Sequence, residues 1–202
     1  KHFHIGGLTA QRTYYVYVRA LCGDSLWTMT PAYTSCERLD PNKANKETFD
    51  SYPSGTSYSE SYKANCWSGG NGNPSASTTY LPYVYNSTTY SNSGTNTYRM
   101  YGYYSSSSTN NTPAFIVSPE IKCDSLTQVA VTFNMYASTS YSWLLGVMTD
   151  PTDLSTFVVI DSVKGMAESV QYSYDLSDYQ GQIPVSAKYI AWRTPYNATS
   201  YA

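Results

Sequence analysis

The fold class follows from one stretch, Val129-Ala130-Val131-Thr132-Phe133-Asn134-Met135, in which apolar and polar side chains alternate. Successive side chains of a β-strand point to opposite faces of a sheet, so this alternation predicts a strand with one buried face. Other short apolar segments lie between clusters of turn-forming residues, and none has the length or period of a helix. They are Tyr98 to Tyr104, Phe115 to Val117, Trp143 to Met148, Phe157 to Val163, Val170 to Tyr174 and Tyr189 to Arg193. The sequence therefore predicts an all-β chain that folds as a sandwich or jelly roll.

The composition agrees with this class and excludes several functions. The chain of 202 residues contains 23 Tyr, and only 13% of its residues are charged. Aromatic residues suit pleated sheets, whereas Ser, Thr and Asn, which are abundant here, suit turns. A net charge of −2 leaves no basic surface for phosphates, so we expect no nucleic-acid partner. No apolar run has the length of a membrane span, so we expect no membrane insertion.

The four cysteines permit three pairings. Their spacing favours Cys22 with Cys36 and Cys66 with Cys123. None of them forms the C-x-x-C pair that is typical of a zinc site. Because disulfides form in oxidising compartments, the pairing predicts an extracellular or cell-surface protein.

Residues 1–38 resemble the C-terminal strands of a bacterial fibronectin type III module. The resemblance rests on Gly7-Leu8-Thr9, on the alternating strand Thr13 to Ala20, and on Cys22-Gly23-Asp24-Ser25-Leu26-Trp27. It covers about half of such a module, so we expect the chain to begin inside a domain. Residues 39–46 are rich in charge and lack periodic apolar positions, and we interpret them as a linker.

Residues 47–202 are similar to the MAM-like jelly rolls called cleaved-adhesin domains of Bacteroidetes-type surface or secreted proteins. The resemblance is carried by Glu47-Thr48-Phe49-Asp50, Cys66-Trp67, Ser118-Pro119-Glu120-Ile121 and the run from Tyr174 to Arg193. It implies a concanavalin-like sandwich, whose last strand we expect to lie beyond Ala202. It also implies that Glu47 and Asp50 hold a structural calcium ion, because hard cations prefer carboxylate oxygens. We expect no other cofactor.

Tyrosines are the best candidates for a ligand-binding surface. Rings that carry a hydroxyl can stack on a sugar or a protein side chain and also form hydrogen bonds. The alternative is that these residues occupy strands only because tyrosine fits a sheet. The candidate residues are Tyr83, Tyr85, Tyr98, Tyr101, Tyr103 and Tyr104.

Catalytic patterns are weak throughout the sequence. His2 and His4 are the only histidines, and they lack the third group that a catalytic triad or a metal site requires. The glycines of Gly69-Gly70-Asn71-Gly72-Asn73 do not fit a dinucleotide fingerprint, and they predict a turn. Several aspartates lie in expected turns, where their carboxylates would cap backbone N–H groups. These are Asp150, Asp153, Asp161, Asp175 and Asp178.

The sequence predicts a non-catalytic extracellular adhesion or binding segment of a multi-domain bacterial surface protein. Its expected partners are a glycan or a host protein, together with neighbouring domains of the same chain. One alternative is an accessory, substrate-targeting module of a secreted protease or glycoside hydrolase. Another is a structural stalk that holds a different domain away from the cell.

Overall fold

A computed structural model of the chain describes residues 5, 7–8, 12–18, 28–33, 35–43, 45–71, 81–102, 113–137, 142–194 and 200–201. These residues form β-strands and short 3-10 helices, and none of them lies in an α-helix. The strands are β1 (Thr13–Val18), β2 (Thr28–Tyr33), β3 (Ser68–Asn71), β4 (Tyr83–Asn86), β5 (Asn96–Arg99), β6 (Tyr101–Gly102), β7 (Ala114–Val117), β8 (Ala130–Met135), β9 (Ser142–Met148), β10 (Val158–Lys164), β11 (Val170–Asp175), β12 (Tyr189–Arg193) and β13 (Ser200–Tyr201). The 3-10 helices are Glu60–Tyr62, Leu126–Gln128, Leu154–Thr156 and Leu176–Tyr179. The predicted all-β class is confirmed.

The chain divides into two compact units, Lys1–Glu37 and Arg38–Ala202. In the first unit, β1 pairs with β2 in antiparallel register, with Tyr15 opposite Pro31 and Tyr17 opposite Met29. The side chains of β1 alternate as its sequence predicts: Tyr15 and Tyr17 are exposed, whereas Tyr14 and Val16 between and beside them are half-buried. The likeness of this unit to a fibronectin type III module stays a prediction.

The second unit is organised around one antiparallel sheet of five strands in the order β10-β9-β12-β7-β3. Three two-stranded antiparallel pairs accompany it: β4 with β5, β8 with β11, and β6 with β13. The predicted alternation of β8 is confirmed, because Val131 and Phe133 are partly buried and Met135 is buried, while Thr132 and Asn134 are exposed.

The main core lies between the five-stranded sheet and the pairs β4–β5 and β8–β11. Trp143, Leu145 and Val147 project into it from β9, and each is fully buried. Val84 of β4 and Met135 of β8 belong to the same hydrophobic cluster. Two apolar layers that share one core make a β-sandwich, so the predicted architecture is confirmed.

The opposite face of the five-stranded sheet carries a smaller apolar cluster. Its buried members are Phe115, Val117, Met148 and Ala191, against which Leu154, Phe157 and Tyr189 pack. The helix Leu154–Thr156 and the Phe157 side chain therefore cover part of this face. Because both faces of β9 are buried, its sequence is a nearly continuous apolar run and does not alternate between apolar and polar residues.

The start of the predicted linker is attached to the second unit. Leu39 forms a parallel bridge with Ile121, in which Leu39 N–H donates to the Glu120 carbonyl at 2.8 Å and Lys122 N–H donates to the Leu39 carbonyl at 2.8 Å. The Arg38 guanidinium lies 3.3 Å from the Glu120 carboxylate. The boundaries of the linker stay a prediction.

Four of the described strands are not predicted by the sequence patterns: β2, β3, β4 and β13. The glycines Gly69 and Gly70 lie in β3, so the turn predicted from this glycine-rich stretch is wrong for residues 69–71, while residues 72 and 73 lie outside the described residues. A Cβ at residue 69 would lie 2.7 Å from the Phe115 carbonyl oxygen, so the glycine permits close approach of two strands. In β4, the sequence identifies Tyr83 and Tyr85 as candidate binding residues but does not predict a strand.

Gly146 on β9 provides a test of the packing on the smaller apolar cluster. A Cβ at this position would lie 2.5 Å from the Val158 carbonyl oxygen and would also clash with the Phe157 ring. We expect Gly146→Ala to lower the free energy of unfolding by about 1–3 kcal/mol, because overpacking forces strands apart. Urea denaturation measures the change. The control is Gly181→Ala, whose Cβ would meet nothing within 4 Å and which we expect to stay within about 0.5 kcal/mol of the wild type.

Candidate binding surface

Five tyrosines form a continuous chain of ring contacts on the second unit, which we call the tyrosine strip. Tyr83 and Tyr85 lie two residues apart on β4, so their side chains share one face of the strand. Tyr90 lies in the turn that connects β4 to β5. Tyr58 precedes the helix Glu60–Tyr62, and Tyr136 follows β8.

The ring centroids of the tyrosine strip follow one another at contact distance. Tyr58 and Tyr83 are 6.2 Å apart and meet edge to face, as do Tyr83 and Tyr85 at 6.0 Å. Tyr85 and Tyr90 are 6.1 Å apart, and Tyr90 and Tyr136 are 4.7 Å apart. Such pairs stabilise one another, so each ring is held in place before a ligand arrives. Tyr90 is the most accessible member at 39% exposure, while Tyr83 is 6% exposed.

The Arg99 side chain contacts two tyrosines of the tyrosine strip. The Arg99 guanidinium carbon lies 4.7 Å from the centroid of the Tyr85 ring, which is the geometry of a cation–π contact. The same guanidinium donates a hydrogen bond to the Tyr83 hydroxyl at 3.3 Å, and this hydroxyl donates to the Thr56 carbonyl at 3.3 Å. Burial raises the pKa of Tyr83, so its phenol stays protonated at neutral pH. The strip therefore offers aromatic faces, hydroxyls and one guanidinium.

The structure separates the tyrosines that the sequence analysis grouped together. Tyr98 lies opposite Val84 in the β4–β5 register, so its ring points into the main core and is 9% exposed. Burial raises its pKa strongly. Tyr101 lies on β6 and is half-buried. Tyr103 and Tyr104 lie outside the described residues.

Of the predicted residues, only Tyr83 and Tyr85 are brought together in the strip. Three members of the strip were not among the candidates: Tyr58, Tyr90 and Tyr136. Tyr58 and Tyr136 come from segments far from β4 in the sequence, and no local pattern marks them. Tyr90 follows Tyr83-Val84-Tyr85 closely enough that the hairpin itself could have signalled it.

A hydrogen-bond network centred on Asn96 fixes the β4–β5 hairpin. The Asn96 side chain is buried, and its amide nitrogen donates to the carbonyls of Phe49 at 3.1 Å and Tyr52 at 3.3 Å. Its amide oxygen accepts from the Asn86 amide at 3.2 Å and the Thr95 hydroxyl at 3.3 Å. Hydrogen bonds of a buried amide are directional, so these bonds fix the orientation of the β4–β5 hairpin relative to the segment that contains Phe49 and Tyr52.

The predicted calcium ligands Glu47 and Asp50 belong to the same network. One Asp50 oxygen accepts from the backbone N–H groups of Thr95 at 3.0 Å and Asn96 at 3.1 Å. The Glu47 carboxylate accepts from Phe49 N–H at 2.6 Å and from the Tyr52 hydroxyl at 3.2 Å. Burial and the Glu47 charge raise the pKa of Tyr52 to about 12. The described part of the chain holds no group of three metal-ligating side chains, and calcium binding stays a prediction.

Three of the other aspartates act as local caps, as predicted. Asp150 accepts from Thr152 N–H at 2.8 Å, Asp153 from Ser155 N–H at 2.9 Å and Asp175 from Ser177 N–H at 3.0 Å. The last two cap the helices Leu154–Thr156 and Leu176–Tyr179. Asp161 differs because it lies within β10 and not in a turn.

The cysteine pairing predicted from spacing is wrong for Cys123. Cys66 and Cys36 are each disulfide-bonded, whereas Cys123 is a free, half-buried thiol. Its sulfur lies 3.9 Å from the Ile121 carbonyl oxygen, with which it makes a weak hydrogen bond. Burial raises the pKa of this thiol. Cys22 lies outside the described residues, but its predicted bond to Cys36 is wrong as well. Cys36 and Cys66 are both bonded while Cys123 is free, so a Cys22–Cys36 bond would leave Cys66 with no cysteine of this chain to pair with.

The chain is an all-β sandwich protein, because two apolar layers of strands enclose one core. Its fold is similar to that of the K2 cleaved adhesin domain of Lys-gingipain, with a TM-score of 0.50 and 14% identity over 77% of this chain and 90% of that domain. The K1 cleaved adhesin domain of Lys-gingipain from Porphyromonas gingivalis W83 aligns with a TM-score of 0.47 and 12% identity over 77% of this chain and 90% of that domain. No protein-family model matches the chain, and no curated protein matches it. Among the described residues, no helix has the length and apolar character needed to cross a membrane.

We expect the free Cys123 and the disulfide-bonded Cys66 to differ in their reaction with a thiol reagent. We expect iodoacetamide to modify Cys123 in the native chain without a reductant, slowly at neutral pH because the raised pKa keeps the thiolate scarce. We expect Cys66 to react only after reduction and unfolding. Peptide mapping by mass spectrometry measures both. Recovery of Cys123 in a disulfide-linked peptide from carefully quenched protein would contradict the assignment.

The Asp50 carboxylate predicts a pH dependence of stability. Its pKa lies below the ordinary value of 3.8, mainly because Thr95 N–H and then Asn96 N–H donate to its charged form. A lowered folded-state pKa contributes stability that is fully present above pH 3.8 and is lost as the pH falls through the folded-state pKa. We therefore expect Asp50→Ala to be less stable than the wild type at pH 6, and the difference to shrink below pH 3.8.

Urea denaturation of the wild type and the variant at a series of pH values measures this difference. The control is Asp178→Ala, which removes an exposed carboxylate in the first turn of the helix Leu176–Tyr179. A difference for Asp50→Ala that stays constant down to pH 2 would show that the carboxylate does not bind the hairpin backbone.

Proposed function

We propose that this chain is a non-catalytic binding module that works outside the cell and uses the tyrosine strip as its contact surface. The observation that carries the proposal is the continuous ring chain with Arg99 placed over the Tyr85 ring. Rigid aromatic rings with hydroxyls give a large contact area at a low cost in conformational entropy, which is why tyrosine and arginine dominate binding surfaces.

The chemistry of the strip favours neutral or weakly polar ligands, namely a glycan or an extracellular protein. The rings present apolar faces for stacking, and their hydroxyls present donors and acceptors. The disulfide-bonded cysteines Cys36 and Cys66 support an oxidising, exported location. The printed name of the similar K2 domain describes it as a cleaved adhesin domain, and we extend adhesion to this chain as part of the proposal.

A second candidate function is that of an accessory module within an enzyme. It is favoured by the observation that the similar K2 structure is named as a domain of Lys-gingipain. In that case the strip would hold the parent enzyme near its substrate. Peptide mapping and intact mass of the native protein distinguish the two, because an accessory module requires a catalytic domain in the same polypeptide.

The strip is tested by binding of the chain to a printed glycan array and to an array of immobilised extracellular proteins. We expect saturable binding on at least one array. We expect Tyr85→Ala and Tyr90→Ala each to weaken that binding about tenfold or more, the loss typical of a central aromatic contact. Tyr85→Phe keeps the ring and is expected to retain most of the affinity.

The matched control is Tyr17→Ala, which removes a tyrosine of 61% exposure on β1, in the other unit. It is expected to bind as the wild type does. Binding that survives both alanine variants of the strip would place the contact surface elsewhere. Absence of binding on both arrays would favour the stalk.

A further inference from the structure

A cavity of about 400 Å³ lies at the edge of the five-stranded sheet, beside β3. Its aromatic wall consists of Trp67, Tyr98 and Phe115, and Trp67 is the most accessible of these rings. Polar side chains of Ser68 and Thr152 also line it. Its volume falls in the lower part of the range of small-molecule sites, about 300–1,000 Å³. The size favours a ligand of one or two rings.

The absence of a side chain at Gly70 of β3 contributes to the open space, because a Cβ there would meet only the Phe115 ring, at 3.4 Å. Both Gly69 and Gly70 line the cavity, and neither contributes a side chain to fill it. In the described part of the chain, β3 is the terminal strand of its sheet. In an antiparallel pair, only half of the backbone groups point toward the partner strand, so the edge of β3 offers N–H and C=O groups to a ligand.

The charge of the cavity is close to balanced. Lys63 lines it, but its ammonium lies 2.7 Å from the Glu60 carboxylate. None of the described residues that line the cavity is an aspartate or a glutamate. An aromatic wall, hydroxyls and strand backbone without net charge suit a neutral ring that carries several hydroxyls, because its apolar C–H face can stack while its edge forms hydrogen bonds.

We propose that this cavity binds one neutral sugar ring, stacked on the Trp67 side of the aromatic wall. The hydroxyls of the ring would be bound by Thr152, Ser68 and the backbone of Gly70. An extended peptide fits less well, because a strand added to a four-residue edge gains few backbone hydrogen bonds. This proposal uses residues outside the tyrosine strip, so it does not depend on the strip being a contact surface.

The test uses the full chain and a panel of neutral sugars: glucose, galactose, mannose, N-acetylglucosamine, lactose and cellobiose. Intrinsic tryptophan fluorescence, to which Trp67 contributes, and saturation-transfer NMR report binding. We expect at least one sugar to bind saturably in the millimolar range. We expect Gly70→Val to weaken it at least tenfold, because the added methyl groups occupy the cavity. The control Gly181→Val introduces the same side chain where a Cβ meets nothing within 4 Å, and we expect it to bind normally.

Circular dichroism and thermal melting establish that the variants fold. If Gly70→Val fails to fold, Gly70→Ala replaces it, since its Cβ would lie 3.4 Å from the Phe115 ring, an ordinary contact. The proposal is overturned if no sugar binds, or if a folded Gly70 variant binds as the wild type does. It is also overturned if only a peptide binds in a manner that depends on Gly70. Sugar binding that persists in Tyr90→Ala supports the cavity, whatever the fate of the strip.

Discussion

Burial of both faces of the five-stranded sheet is the constraint on which the rest of the structure depends. Trp143, Leu145 and Val147 of β9 need a covering layer on one side, and Met148 needs one on the other. The pairs β4–β5 and β8–β11 provide the first cover, and the helix Leu154–Thr156 with Phe157 provides part of the second. Because these apolar residues are already occupied in packing, both proposed contact surfaces lie outside the main core, one on the outer side of the hairpin β4–β5 and one at the sheet edge.

The hairpin β4–β5 serves two purposes because its faces differ. Val84 and Tyr98 on one face complete the core, while Tyr83 and Tyr85 on the other carry the tyrosine strip. Apolar packing alone allows a hairpin to shift along its neighbour with little loss. Hydrogen bonds from the Asn96 side chain to fixed carbonyls do not allow this, since a shift would leave a buried amide unsatisfied. The polar network therefore gives the strip its position, and the core gives the hairpin its stability.

Sequence patterns predicted the strands whose signal is local. The alternation of β8 and the apolar run of β9 are visible without knowledge of the rest of the fold. The strand β3 was not predictable, because its glycines are explained by the close approach of Phe115 from a distant strand. The glycine-rich composition alone indicates a turn.

The candidate site was predictable in composition but not in arrangement. The abundance of tyrosine near β4 is plain in the sequence, yet the cross-strand register that turns Tyr98 into the core is a tertiary fact. Tyr58 and Tyr136 join the strip from distant loops, which no local pattern could indicate. The cysteines are a similar case, because pairing depends on where the fold places each Cβ and not on spacing along the chain.

The strip and the cavity meet at one short segment, although they are built on different strands. Tyr58 donates a hydrogen bond to the Glu60 carboxylate, and Glu60 is paired with Lys63, which lines the cavity. Ser59 caps the helix Glu60–Tyr62 through its hydroxyl, which accepts from Ser61 N–H. The carboxylate thus orients a ring of the strip and offsets the cation at the cavity. If both proposals hold, the two surfaces would select their ligands mainly by shape and short-range hydrogen bonds, which salt screens far less than it screens long-range attraction.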